Sequence, residues 1–237
     1  FHVSDDLSLI LGGRLVDWKR DTEDRPYGAD ASETQSRETG VFIPYTGVVY
    51  DLTDVWSLYA SYTKIFNPQA SWVRDENNKP LDPMEGKGYE LGVKGSHLDG
   101  QLSASLALFK LEQDNLAVAI PNAFAPDGSQ AYEAVSGTST RGVEVEASGQ
   151  LRPGWQLAAS VARNITHDRL RNRLLTDVSQ TTAKLFTSYR IAGIGRGLTV
   201  GGGLRWQNQI YRDNQGAARA RFTQPAYAVV DLMARYA

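Results

Sequence analysis

The sequence has 237 residues, with 25 Lys and Arg against 27 Asp and Glu, and no Cys. The absence of Cys excludes disulfides and thiolate zinc sites, and His2, His97 and His167 lack the spacing of metal ligands. A formal net charge of -2, without long runs of one sign, argues against nucleic acid as a partner. No run of about 18 apolar residues is present, so membrane-spanning helices are excluded.

Apolar and polar residues alternate with a period of two along most of the chain, which indicates strands with one apolar face. In WSLYASYT (56–63) the apolar face opposes hydroxyl groups, and in RGVEVEASGQL (141–151) two Val alternate with two Glu. The alternation and the turn residues together predict about ten strands, at residues 7–20, 38–50, 55–66, 88–97, 101–113, 141–151, 155–165, 181–190, 198–210 and 226–237.

The connections between these strands alternate in length. Short turns are expected at 51–54, 98–100, 152–154 and 191–197. Five long polar connections lie between them: long loop 1 (21–37), long loop 2 (67–87), long loop 3 (114–140), long loop 4 (166–180) and long loop 5 (211–225). In an up-and-down antiparallel sheet this alternation places all long loops at one end, as in outer-membrane β-barrels. A strand of about 11 residues, tilted by about 45°, also spans roughly the 25 Å apolar band of such barrels.

Aromatic and charged residues fit the same interpretation. Aromatic residues fall near the predicted strand ends, as expected for the interfacial girdles of a membrane protein. Charged residues within the strands lie on the face opposite the apolar one, which indicates a wet barrel interior, because lipid-facing charge near the midplane costs about 2 to 4 kcal/mol. The girdle candidates are Trp56, Trp155, Trp206, Tyr62 and Tyr89.

Several stretches resemble the C-terminal half of TonB-dependent siderophore receptors, especially the branch for ferric hydroxamates such as coprogen, ferrioxamine and pyoverdine. They cover well over half of the chain in the family's order. The stretches are GVVYDLTDVWSLYASYTKIFNPQ (47–69), LDPMEGKGYELGVKG (81–95), LSASLALFKLEQDNLA (102–117), TRGVEVEASGQLRPGWQL (140–157), LTVGGGLRWQ (198–207) and QPAYAVVDLMARYA (224–237).

The resemblance implies a 22-stranded transmembrane barrel in the bacterial outer membrane, closed by an N-terminal plug and energised through TonB. On this interpretation residues 1–237 are about ten strands of that all-β barrel domain, and the plug, the TonB-contact segment and the final strands are expected to be missing from the chain. The implied partners are a ferric siderophore, the TonB complex and outer-membrane lipid. Iron enters only as the siderophore chelate, with no cofactor bound directly to the protein. The segment 161–184 departs from the family pattern, which affects loop shape and ligand choice.

The resemblance also implies that the chelate is held by aromatic and basic side chains of the barrel wall and loops. Aromatic rings supply contact area, and Arg supplies a planar fork of hydrogen-bond donors. The candidate ligand-binding residues are Trp72 and Arg74 in long loop 2, Tyr132 in long loop 3, and Tyr211 and Arg212 in long loop 5.

Two other kinds of site find little support in the sequence. His167 beside Asp168 is similar to the His and acidic residues of ten-stranded outer-membrane proteases, but no second acidic pair is identifiable, so no catalytic residue is expected. DENN (75–78) lacks the rest of a calcium loop. The sequence therefore predicts a TonB-dependent importer of a ferric siderophore of hydroxamate type, with a passive pore or surface-binding barrel without energy coupling as the alternative.

Overall fold

The computed structural model describes residues 1–25, 27–28, 31–192, 197–215 and 220–236. The described residues form an all-β structure, and no helix among them is long and apolar enough to cross a membrane. The strands are β1 (Leu7–Asp24), β2 (Ser32–Asp51), β3 (Trp56–Asn67), β4 (Met84–His97), β5 (Leu102–Asp114), β6 (Leu116–Phe124), β7 (Gln130–Val135), β8 (Thr138–Arg152), β9 (Trp155–His167), β10 (Arg173–Leu174), β11 (Thr181–Arg190), β12 (Leu198–Gln207), β13 (Ile210–Gln215), β14 (Ala220–Gln224) and β15 (Tyr227–Tyr236).

Ten long strands form one antiparallel sheet in the order β1-β2-β3-β4-β5-β8-β9-β11-β12-β15, with β10 paired to the end of β9. These strands confirm the all-β fold class and the predicted up-and-down order. The predicted boundaries are close to the observed ones, because one alternating face fixes the register of each strand. Parts of long loops 1 and 5, of the turn 191–197 and the last residue of the final predicted strand lie outside the described residues.

Three of the predicted long loops contain further strands. Long loop 3 folds into the hairpin β6–β7, long loop 5 contains the hairpin β13–β14, and β10 lies in long loop 4. Long loop 1 is shorter than predicted, because β1 and β2 remain paired as far as Asp24 and Ser32. Much of the long-loop end is therefore built from hydrogen-bonded backbone.

Residues that face each other across the ladders share a face of the sheet, and this defines an outer face and a lumenal face. The outer face carries exposed apolar side chains across the sheet. One row of directly opposed outer residues runs Leu58, Val93, Leu106, Val145, Val161, Ala183, Trp206, Ala228. Such a continuous exposed apolar face is what a lipid-contacting barrel wall requires.

Several charged residues of the strands lie on the lumenal face, among them Glu90, Lys94, Arg205 and Asp231. The Tyr59 hydroxyl donates to Glu90 Oε1 at 2.5 Å, and Lys94 Nζ lies 4.6 Å from the Tyr59 ring centroid. Arg205 and Asp231 form an ion pair on β12 and β15, with Nη2 and Oδ2 3.1 Å apart. These four charges, which would be costly against lipid, are directed to the interior.

Each of four aromatic rings covers the glycine that lies directly opposite it on the neighbouring strand. The pairs are Tyr45 with Gly12, Trp56 with Gly95, Tyr59 with Gly92, and Phe109 with Gly142. An added Cβ at Gly12 or Gly142 would stand 2.2 Å from the opposite ring, and at Gly92 or Gly95 it would stand 2.5 or 2.6 Å away. Each glycine therefore supplies the space that the ring occupies.

Candidate ligand site at the long-loop end

Long loops 2 and 3 meet through an aromatic pair and a backbone hydrogen bond. The rings of Trp72 and Tyr132 are in edge contact, with centroids 5.7 Å apart and planes at 60°. The Tyr132 backbone N–H donates to the Arg74 carbonyl at 2.8 Å. Trp72 remains 64% exposed, so one face of this pair is available to a ligand.

Arg74 is placed differently from the other candidates. Its side chain is directed into long loop 2, and the residue is only 7% exposed. Arg74 Nε donates to the Ser71 carbonyl at 3.0 Å, and Nη1 donates to the Asn78 carbonyl at 3.1 Å and to Thr34 Oγ1 at 3.4 Å. These contacts connect long loop 2 to long loop 1, so the observed contacts of Arg74 organise the loops.

The positive charge of Arg74 also reaches the tip of the β6–β7 hairpin. Asp127 lies in the turn of that hairpin and accepts a hydrogen bond from the Ser129 backbone N–H at 2.9 Å. Hydrogen bonds donated by Ser129 lower the pKa of the Asp127 carboxyl, and the charge of Arg74 lowers it further. Arg74 thus forms hydrogen bonds within long loop 2 and to long loop 1, and its charge also affects Asp127 in long loop 3.

A cavity of about 410 Å³ lies between long loops 3, 4 and 5. Tyr132 and Arg212, which the sequence singled out, both line it, and Trp72 adjoins it through the ring of Tyr132. Its wall combines apolar with charged side chains. The other charged residues of the wall are Arg173, Asp177 and Asp213.

Arg212 is held at the edge of this cavity by two neighbours. Its Nε lies 3.9 Å from Asp177 Oδ2 in long loop 4, and its Nη2 donates to Gln130 Oε1 in long loop 3 at 3.5 Å. Both contacts are long, and pairs of this kind between partly exposed side chains are weak. The guanidinium can therefore exchange a protein partner for an anionic or oxygen-rich ligand at small cost.

Tyr211 lies beside Arg212 but is occupied within long loop 5. The Arg221 guanidinium stands 4.2 Å from the Tyr211 ring centroid, and Arg221 forms an ion pair with Asp213 in which Nε and Oδ1 are 2.6 Å apart. The Tyr211 backbone N–H donates to the Thr176 carbonyl at 2.8 Å. The observed role of Tyr211 is to join long loop 5 to long loop 4.

Sequence reasoning missed Gln130, which organises the cavity wall. Its Nε2 donates to the carbonyls of Ile120, Ala123 and Ala131 at 2.7 to 3.0 Å, which fixes the β6–β7 hairpin below Tyr132. Arg173 and Asp177 were missed as well. Nothing in the sequence distinguishes these three residues from other polar loop residues, because an isolated Gln, Arg or Asp in a polar loop has no periodic pattern around it.

Neither an enzyme centre nor a metal centre is visible in the described part of the chain. Asp168, weighed as an acidic residue beside His167, accepts hydrogen bonds from the Asn172 backbone N–H and Nδ2, each at 2.8 Å, and so closes a local turn. The side-chain hydrogen bond from Asn172 lowers the pKa of Asp168. No group of three or more His, Asp or Glu that could hold a metal ion occurs among the described residues.

Comparison with known proteins gives a family match over the whole chain. The family described as "TonB dependent receptor-like, beta-barrel" matches residues 1–237. The ferric-pyoverdine BN7/BN8 receptor of Pseudomonas putida is 54% identical over 236 residues, and the ferripyoverdine receptor of Pseudomonas aeruginosa is 44% identical over 243 residues. Each alignment covers 100% of this chain but only 28% and 29% of the two relatives, so the chain spans less than a third of their length.

Solved structures agree with the sequence comparison. The outer-membrane ferripyoverdine receptor of Pseudomonas aeruginosa, bound to ferripyoverdine, superposes with a TM-score of 0.78 at 42% identity, covering 100% of this chain and 31% of that one. The alcaligin outer-membrane receptor of Bordetella pertussis gives a TM-score of 0.71 at 39% identity, covering 100% of this chain and 38% of that one.

Proposed function

We propose that this chain, which belongs to the TonB-dependent receptor-like β-barrel family, is the ligand-binding part of a receptor that imports a ferric siderophore of the pyoverdine type. Membership of the family confirms that the chain lies in the bacterial outer membrane and is part of a receptor, not of an enzyme. The similarity to ferric-pyoverdine receptors along the whole chain is the observation that carries the proposal.

The geometry of the long-loop end supports this choice of ligand. Tyr132 and the weakly held guanidinium of Arg212 line one cavity at the end where the long loops lie, and the exposed ring of Trp72 contacts the Tyr132 ring. Ferric siderophores present oxygen-rich surfaces, which suit aromatic contact and Arg hydrogen bonds. The hydroxamate class predicted from the sequence stays a prediction, and the pyoverdine type rests on the relatives' names.

Energy supplied by TonB belongs to the same proposal. The chain accounts for 28% of the length of its Pseudomonas putida relative, which leaves ample sequence for a plug domain and a TonB-contact segment in the full-length protein. On this proposal the ten strands form part of a larger barrel. A passive pore would bind or pass the chelate without any requirement for TonB.

The test uses the full-length receptor that contains this chain. Quenching of its tryptophan fluorescence is titrated with a panel of ferric pyoverdines, with ferrioxamine B and with a ferric tris-catecholate. Uptake of radioactive iron from each chelate is followed in cells with and without TonB. We expect saturable quenching by at least one ferric pyoverdine, and uptake of that chelate only in cells that have TonB.

Arg212→Ala and Arg152→Ala form a matched pair of variants for this titration. Both remove one Arg, but Arg152 lies at the short-turn end of β8, away from the cavity. Arg212→Ala should weaken binding by about tenfold, the size expected for one hydrogen bond to a charged group, whereas Arg152→Ala should leave binding unchanged. No response to any ferric chelate would contradict the receptor proposal, and uptake without TonB would favour the passive pore.

A further inference from the structure

Arg173 differs from the other charged residues that line the cavity between long loops 3, 4 and 5. It lies in β10, opposite His167 of β9, and its Nη2 donates to Oε1 of Gln180, which is the oxygen of a neutral amide. The ion pairs formed by described residues of these three loops belong to other arginines, namely Arg169, Arg212 and Arg221. The charge of Arg173 is therefore held in place without being neutralised.

The two acidic residues of the cavity wall each have a basic partner. Asp213 accepts hydrogen bonds from Arg221 Nε at 2.6 Å and from Arg221 Nη2 at 3.1 Å. Asp177 Oδ2 lies 3.9 Å from Arg212 Nε. The charged residues of the wall and their ion-pair partners thus comprise three Arg against two Asp, which leaves one net positive charge at the cavity.

The position of Arg173 is fixed by a buried neighbour. Gln180 is only 6% exposed, and its Nε2 donates to the carbonyls of Leu174 and Leu175 at 3.2 and 3.4 Å. The same amide group therefore holds both the Arg173 guanidinium and the backbone that follows it. A side chain that is already ordered loses little conformational entropy when it binds a ligand.

The size and the lining of the cavity indicate which part of a ligand it can accept. Its volume of about 410 Å³ is near the lower end of the roughly 300 to 1,000 Å³ that hold small ligands, so it suits one arm of a large chelate. Apolar side chains alternate with the charges, so the arm contacts aliphatic groups before its end meets a guanidinium. These apolar residues are Ala117, Val118, Ala119, Leu174, Leu175 and Val178.

We propose that Arg173, together with Arg212, binds a carboxylate at the end of one short arm of the ferric siderophore, while the body of the chelate contacts Trp72 and Tyr132. This inference rests on the proposed function, because it assigns a chemical group of the same ligand. Arg212 exchanges its long contact with Asp177 for the carboxylate, and Arg173 supplies the charge that no acidic residue of the wall offsets.

The same geometry makes Arg173 a specificity-determining residue that distinguishes an acid from its amide. A guanidinium binds a carboxylate through two parallel N–H···O hydrogen bonds, strengthened by the opposite charges. A carboxamide of the same shape offers one oxygen, and its NH₂ group would face the N–H donors of the guanidinium. The receptor should therefore prefer the acid form of the arm.

The experiment uses the full-length receptor that contains this chain and the ferric pyoverdine that it binds. Two forms of that chelate are compared, which differ only in whether one side arm ends in a carboxylate or in the carboxamide. Their affinities are measured by isothermal titration calorimetry at neutral pH for the unmodified receptor, Arg173→Gln and Arg173→Lys. Arg171→Gln is the matched control, because Arg171 is exposed in the same loop and does not line the cavity.

The unmodified receptor should bind the acid form on the order of tenfold more tightly than the amide form. Arg173→Gln should abolish this preference and leave the affinity for the amide form unchanged, Arg173→Lys should retain part of it, and Arg171→Gln should retain all of it. Equal binding of the two forms by the unmodified receptor, equal weakening of both forms in Arg173→Gln, or loss of the preference in Arg171→Gln would each overturn the inference. In those cases the chelate still binds, so the receptor function stands, whereas failure to bind either form would contradict the receptor function itself.

Discussion

The indole of Trp72 and the phenol ring of Tyr132 lie in edge contact, 5.7 Å between centroids, although one belongs to long loop 2 and the other to the β6–β7 hairpin of long loop 3. This contact lies beside the cavity bordered by Arg212. Two sequence-predicted ligand residues are therefore brought together by the fold, and their shared surface is the most direct place to test the site.

Replacing Trp72 by Ala should weaken binding of the ferric chelate by about threefold to tenfold, because an aromatic contact contributes about 0.5 to 1.5 kcal/mol beyond its buried area. The measurement is a titration of the full-length receptor by isothermal calorimetry, which does not depend on the lost fluorophore. Trp72→Phe keeps a ring against Tyr132 and should retain most of the affinity. Unchanged affinity in Trp72→Ala would remove this residue from the site.

Replacing Arg74 by Ala should loosen long loops 1 and 2, because it leaves the Ser71 and Asn78 carbonyls without their donor. We expect the local free energy of unfolding of these loops to fall by about 2 kcal/mol. The loss is measured as faster cleavage of residues 70–80 by chymotrypsin, which does not cleave after Arg. Arg74→Lys should recover only part of the protection, since one ammonium group cannot reproduce the planar set of donors. Weakened chelate binding with unchanged cleavage would instead indicate that Arg74 contacts the ligand.

Replacing Gly92 by Ala should destabilise the barrel by about 1 to 3 kcal/mol, the usual effect of overpacking. The added methyl group would stand 2.5 Å from the Tyr59 ring, so the ring must move and its hydrogen bond to Glu90 is lost. Thermal unfolding in detergent measures the effect. Gly47→Ala is the matched control, because its nearest neighbour stands 3.5 Å away, and an equal loss in both variants would refute the explanation.

Acidification should open the turn of long loop 4 around Asp168. Hydrogen bonding by Asn172 lowers the pKa of Asp168 in the folded turn, so the carboxylate stabilises the turn above the unfolded pKa of about 3.9 and loses this effect as the pH falls through the folded value. Hydrogen exchange of residues 168–173, compared between the unmodified receptor and Asp168→Asn at each pH, measures the difference. The two proteins should differ at neutral pH and converge once the pH has fallen below the lowered pKa of Asp168, and a difference that persists in stronger acid would contradict this assignment.

The long strands could be predicted from the sequence because each has one face in an apolar surrounding. The boundaries of β9 and β11, for example, follow directly from alternation that ends at polar loop residues. The hairpin β6–β7 was missed although its turn contains Asp127 and Gly128, because a register break between Ala119 and Phe124 hides the alternation of β6.

The candidate site could be predicted only in part, for a related reason. Residue type and loop location were sufficient to single out Trp72, Tyr132 and Arg212. Their mutual placement depends on Arg74 and Gln130, whose hydrogen bonds go to backbone carbonyls of irregular segments. No periodic pattern in the sequence predicts which backbone carbonyl of an irregular loop will accept a hydrogen bond. The burial of Arg74 and the cavity were therefore visible only in the structure.

The four aromatic rings that lie across opposed glycines have a consequence for how this sequence can change during evolution. A larger residue at Gly92 or Gly95 is accommodated only when Tyr59 or Trp56 has first become smaller, and the reverse order leaves a gap in the wall. Each pair should therefore be inherited as a unit, with one member rarely altered alone. Genetic suppressors of a glycine substitution in these strands should map to the ring on the neighbouring strand.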